Sequence, residues 1–130
     1  MKRRSYLKTM SAAAMGLALA DAQPTPRRIV LHVDLAVDPA KEAEMLHNFH
    51  EVFKPAAAKQ PGYIDVRLCK LRSALQGSAP RGANYRFELT FQSEELRQVW
   101  VASDTHKKVW PMIENTLQSK DYTVLLYDSA

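Results

Sequence analysis

Cysteine is almost missing from this chain: Cys69 is the only one in 130 residues. That excludes an internal disulfide, a cysteine-built metal centre and a dithiol redox pair. Cys69 is left as a buried thiol or as a link between two chains. Glycine is sparse, with 4 residues, and none belongs to a Gly-rich phosphate loop. Long apolar runs are missing too. The uncharged stretch TMSAAAMGLALA, residues 9–20, would span about 18 Å as a helix against a hydrocarbon core of roughly 30 Å, so a membrane anchor is disfavoured. No nucleophile has a recognisable base beside it, and no internal repeat is present.

Charge is lopsided. Lys2, Arg3, Arg4 and Lys8 precede the apolar stretch, and Ala20 and Ala22 form an A-x-A pair before the segment QPTPR at 23–27. A basic head, a short apolar segment and a small-residue cleavage site make the layout of an export signal. The run Arg3-Arg4-Ser5-Tyr6-Leu7-Lys8 resembles the twin-arginine motif, in which two arginines, a spacer, an aromatic, Leu and Lys follow one another. The expectation is a signal over 1–22, cleaved after Ala20 or Ala22, a linker over 23–27 and one domain over 28–130. The mature protein is then periplasmic or otherwise extracytoplasmic, with no membrane anchor. No cysteine follows the apolar stretch to carry a lipid. Cleavage removes four of the 18 basic residues and one of the 14 acidic ones, leaving a net charge of about +1. No basic stripe remains to bind nucleic acid or an anionic membrane.

The remainder alternates between two periodicities. RIVLHVDLAV (28–37) turns Ile29, Leu31, Val33, Leu35 and Val37 to one face, as a half-buried strand does. Asp38-Pro39 then supplies an N-cap and a proline at the first helical position. Ala43, Leu46, Phe49, His50, Phe53 and Ala57 follow at helical spacing. Pro55 is expected to kink or split this helix near residue 54, and Pro61-Gly62 to end it. YIDVRLCKL (63–71) and NYRFELTF (84–91) read as strands joined by a loop over 72–82. Ser93 with Glu94 and Glu95 opens a second helical region. It breaks near Ser103-Asp104, where Asp104 can cap a segment presenting His106, Val109, Trp110, Ile113 and Leu117. YTVLLYD (122–128) closes the chain. The order β-α-β-β-α-β predicts an α+β, ferredoxin-like domain: a four-stranded antiparallel sheet with both helices on one face. The apolar face of each strand goes to the helices. The other face carries His32, Asp34, Asp65, Arg67, Cys69, Arg86, Glu88 and Thr90, which can pair across the sheet in water or in a dimer.

Several segments resemble the antibiotic biosynthesis monooxygenase type of dimeric α/β-barrel domain over residues 28–128. They are Gln60-Pro61-Gly62-Tyr63 before the second strand, Tyr85–Phe91 running into Ser93-Glu94-Glu95-Leu96, a Trp-bearing helix, and Ser103-Asp104-Thr105-His106. The stress-responsive dimeric barrels are close relatives that share the helix entry and the S-x-x-H segment. The resemblance implies a homodimer whose sheets face each other, with a small-molecule pocket between sheet and helices in each subunit. It also implies either cofactor-independent oxygenation of quinols and polycyclic aromatics or a non-catalytic binding or accessory role. Haem degradation does not carry over. Trp110 stands where that branch has its ligating histidine ten residues after a tryptophan, and the first strand has no asparagine.

Two histidines are the acid–base candidates. His50 lies within about 50° of the centre of the first helix's apolar face, so its ring is expected to project toward the sheet. There it is either a core histidine satisfied by a neighbour or a pocket base. His106 borders the buried edge of the second helical region. Its ordinary pKa near 6.5 suits deprotonation of a phenol-like substrate, and a capping or surface role is the alternative. Phe53, Trp100 and Trp110 are the candidate pocket walls, with plain core packing as their alternative. His47 is turned away from His50, so the pair lacks the shared orientation of a metal site, and no bound cofactor or metal is expected.

Overall fold

The structure is a computed structural model and describes residues 27–130; the expected export signal, with Arg3 and Arg4, lies outside the described residues. Four strands, β1 (Ile29–Leu35), β2 (Tyr63–Lys70), β3 (Tyr85–Phe91) and β4 (Thr123–Asp128), form one antiparallel sheet in the order β2-β3-β1-β4. Between β1 and β2 run α1 (Glu42–Asn48), a π-helical turn (Phe49–Phe53) and α2 (Lys54–Ala58). Between β3 and β4 run α3 (Glu94–Ala102) and α4 (Asp104–Glu114). This is the ferredoxin-like α+β arrangement that the element order implies.

Alternation decides what each sheet face touches. Ile29, Val33 and Leu35 of β1, Val66 of β2, and Tyr85, Phe87, Leu89 and Phe91 of β3 are buried with Met45, Phe49, Phe53, Trp100, Val109 and Ile113 from the helical side. On the opposite face His32 stands across from Glu88, Asp34 from Arg86 and Arg67 from Glu88. The pairing is direct. Arg86 lies 3.0 Å from Asp34, Arg67 lies 2.8 Å from Glu88, and His32 Nε2 lies 3.4 Å from Glu88. Cys69 is on this face and exposed.

One expectation needs correction and another takes an unforeseen form. The apolar side of β4 is not taken up by the helices: Val124 and Leu126 remain 49% and 47% exposed, because the helices leave this edge strand largely uncovered. Leu125 and Tyr127, on its other side, are also exposed. The segment carrying Pro55 is interrupted near residue 54 as expected, by a π-turn between Asn48 and Lys54 rather than by a break in the backbone. Proline has no amide hydrogen to donate one turn back, and the helix absorbs the lost bond by widening upstream, where the Lys54 N–H reaches five residues back to Phe49. A π-turn of this kind keeps a helix continuous while inserting a residue into it.

The turn into β2 depends on Gly62, with φ +86°. A Cβ there would stand 2.5 Å from Leu96 Cδ1 on α3, so only glycine permits both the left-handed backbone and this close approach.

Candidate active site

The positions of Trp100 and His106 follow from one serine. Ser103 Oγ donates to the Trp100 carbonyl (2.6 Å), which closes α3, and accepts from the His106 N–H (3.1 Å), which opens α4. Ser103, rather than Asp104, is therefore the cap of the second segment. A residue with extended backbone and a short hydroxyl does both jobs, the usual reason for serine at an N-cap. The bend brings the two rings edge to face, 5.0 Å between centroids. One turn further along α4, the Trp110 ring lies almost parallel to His106, 6.3 Å away.

These rings line a half-open cavity of about 130 Å³ between sheet and helices. Its floor is Leu31 and Val33 of β1 with Phe87 and Leu89 of β3. Phe53, Trp100 and Trp110 form its walls, His106 and Tyr122 supply polar groups, and Val101 and Val124 stand at the side of the exposed edge strand. Phe53 is fixed by edge-to-face contacts with Phe87, Trp100 and Trp110. Such contacts add to plain area burial and hold ring orientation. Phe53, Trp100, Trp110 and His106 thus share one cavity.

His50 does not join them. It is exposed, with its ring edge-on to Phe49, so the expectation that it projects toward the sheet is corrected. The face that packs inward is set by Met45, Asn48, Phe49, Phe53 and Ala57. Counting exposed Ala43 and leaving out Met45 and Asn48 rotates the apparent centre toward His50. Asn48 escapes notice because it is polar; its amide donates to the Met112 carbonyl (2.9 Å), tying α1 to α4.

The electrostatics of the cavity separate its polar groups. Burial, and then the nearby Arg97 guanidinium, hold the His106 pKa below its ordinary value, so the neutral ring is favoured. Arg97 itself is gripped by both Glu94 oxygens at 2.7 Å. Tyr122 donates to Glu114 (2.8 Å) and accepts from Trp110 Nε1 (3.2 Å). Burial and the Glu114 partner push its pKa up to about 12, so it stays protonated. Trp100 Nε1 is different: it is buried and has no hydrogen-bond acceptor among the described residues. An unsatisfied buried donor costs about 1–3 kcal/mol. Sequence reasoning missed Tyr122 and Glu114. Their signals were the parity shared by Tyr122 and Val124, and the i, i+4 spacing from Trp110 to Glu114.

A second, larger cleft of about 410 Å³ lies under the loop after β2, bordered by Asp34, Lys70, Arg72 and Arg86. Among the described residues no group of three or more His, Cys, Asp or Glu is placed to hold a metal ion.

Solved structures with the same architecture place this geometry in context. A candidate antibiotic biosynthesis monooxygenase from Caulobacter crescentus CB15 superposes with a TM-score of 0.66 at 18% identity, over 82% of this chain and 92% of its own. A dimeric ferredoxin-like protein of unknown function from Jannaschia sp. CCS1 gives 0.64 at 18% identity, over 79% and 98%. The hydroxynitrile lyase of Passiflora edulis gives 0.66 at 11% identity, over 81% and 95%. The chain shares their fold. No protein-family model matches the sequence, and no curated protein is similar to it in sequence.

The depressed pKa has a defined consequence for stability. A histidine held neutral by the fold contributes stability that is complete above its unfolded pKa of about 6.5 and lost as pH falls below it. A carbon- or nitrogen-detected NMR titration is expected to place the His106 midpoint below that value. His106→Gln is expected to flatten the acid-side fall in stability; a midpoint at or above the ordinary one contradicts the burial argument.

Proposed function

We propose that the protein is an exported homodimer that binds a small apolar or aromatic molecule bearing oxygen between sheet and helices, and oxidises it with dioxygen without a bound cofactor. The observation that carries this reading is an aromatic cavity lined by Trp100, whose fully buried indole N–H has no acceptor, and by a histidine held neutral. A buried indole donor without a partner is a cost unless a ligand oxygen completes it. The neutral imidazole is the form that accepts a proton from a phenolic O–H.

In this scheme His106 takes the proton of a quinol, and the Trp100 N–H stabilises the oxygen on which negative charge develops. The resulting electron-rich anion reduces dioxygen. One oxygen atom enters the ring, giving a hydroxyquinone, and the other leaves as water, the electrons all coming from the quinol. His50, exposed on the π-turn after α1, has no part in it. A non-catalytic role, like that of stress-responsive barrels, is favoured by the small cavity volume. The His106 side chain argues the other way. Its ring packs on Trp100 and Trp110 and has no hydrogen-bond partner among the described residues.

Dimer formation is supported by the dimeric Jannaschia neighbour and by the half-exposed Leu125 and Tyr127 beside the paired charges of the open face. Asp34, only 5% exposed and already paired with Arg86, can be covered by a twin sheet without leaving an unpaired charge. Export through the twin-arginine route, which carries folded proteins, fits a dimer assembled beforehand.

Oxygen uptake with a series of quinols tests the chemistry. His106→Gln and Trp100→Phe are each expected to lower the rate by about 100-fold, the usual scale for a lost general base or oxyanion donor; rates equal to wild type, or none in any form, remove the enzyme reading. Native mass spectrometry of protein recovered from the exported fraction is expected to show two copies of a chain shortened at residue 20 or 22. A monomer, or an uncleaved chain, contradicts the dimer or the export proposal respectively.

A further inference from the structure

We propose that the cavity admits a single ring, so that the ligand is a monocyclic phenol carrying a second oxygen acceptor, and that Tyr122 and Glu114 are positioning residues that set this limit through Trp110. The proposal rests on the cavity reading above and narrows it to a chemical class.

Size comes first. An apolar cavity of roughly 150 Å³ accommodates one benzene ring, and this one is about 130 Å³. Two fused rings exceed this volume, so the second ring must either displace a wall or lie outside the walls on the cavity's open side. Phe53 is 1% exposed and packed against Phe49, Phe87, Trp100 and Trp110. Trp100 is equally buried. The half-buried Trp110 is the wall with room to swing, and it is the one that is tethered.

The tether is a closed clasp. The Trp110 indole donates to the Tyr122 hydroxyl, which donates to Glu114. Trp110 and Glu114 are one turn apart on α4, so the chain of bonds leaves the helix, grips the residue just before β4 and returns. It holds the indole nearly parallel to His106 and pins the start of an otherwise uncovered edge strand whose Val124 lines the cavity. Breaking the clasp frees one wall and loosens the strand beside it.

The clasp also sorts the polar groups by availability. The donors of Trp110 and Tyr122 are spent inside the protein. Among the lining residues one donor is left unpaired, the Trp100 N–H, which has no exposed surface and meets a ligand only if the indole or a neighbour shifts, and one proton acceptor, the His106 ring, borders the cavity. A single ring with an O–H and a carbonyl or second hydroxyl oxygen satisfies both.

The test uses isothermal calorimetry with 4-hydroxybenzaldehyde, 6-hydroxy-2-naphthaldehyde and 2-hydroxyanthraquinone, which offer the same O–H and C=O on one, two and three rings. Wild type is expected to prefer one ring over two by about tenfold or more in Kd and to show no heat with three. Tyr122→Phe and Glu114→Ala are expected to bring the preference below about threefold, while Glu114→Gln, whose amide oxygen still accepts from Tyr122, keeps it. Two-ring binding as tight as one-ring binding to wild type overturns the size limit while leaving the cavity as a ligand site. A preference unchanged in Tyr122→Phe, or lost equally in Glu114→Gln, overturns the positioning role. Binding of none of the three removes the ligand reading and this inference together.

Discussion

A two-sided sheet is the constraint from which the rest descends. Side chains on a strand alternate between faces, so each strand makes one choice of partner for all its apolar residues at once. Here β1 and β3 commit theirs to the helices, and the charged residues between them meet across the strands as Asp34–Arg86 and Glu88 with Arg67 and His32. The helices are then obliged to cover the apolar face. Where α3 and α4 meet it at an angle, around Ser103, they leave the aromatic-walled space that the site occupies.

That space costs something to keep. A close-packed interior would fill it and pair every donor, yet Trp100 Nε1 is buried without an acceptor while its counterpart on Trp110 is bonded. The contrast between two indoles that both pack against His106 is more informative than either alone. One N–H is used to build the wall, and the other is left over. His106, between them, is kept neutral by burial and by the Arg97 guanidinium. A free donor and a neutral base in an apolar setting make a combination that a phenolic oxygen compound completes.

Much of the architecture was legible from residue order. The period-two runs at 28–37, 63–71 and 84–91, and the short apolar run at 122–128, foretold four strands whose ends shift by only a residue or two. Asp38-Pro39 and Ser93 marked helix starts by local chemistry, and both act as caps. The failures were those of phase and distance. His50 was misplaced because Asn48 counts as polar in sequence but is buried by its bond to Met112. The π-turn before Pro55 is a compromise between a missing amide hydrogen and continued packing of Phe49 and Phe53, which periodicity alone does not register. The Trp110–Tyr122–Glu114 clasp joins residues whose meeting depends on how α4 and β4 return past each other. The bare flank of β4 is likewise invisible until the helices are in place.

A ¹H–¹⁵N spectrum of the two tryptophan side chains reads the idle indole of Trp100 directly. On adding 4-hydroxybenzaldehyde, the Trp100 indole proton is expected to move downfield as it gains an acceptor, while the Trp110 proton, already bonded to Tyr122, moves much less. A Trp100 signal that stays in place at saturating compound, or a shift confined to Trp110, would contradict the claim that this N–H is held for a ligand.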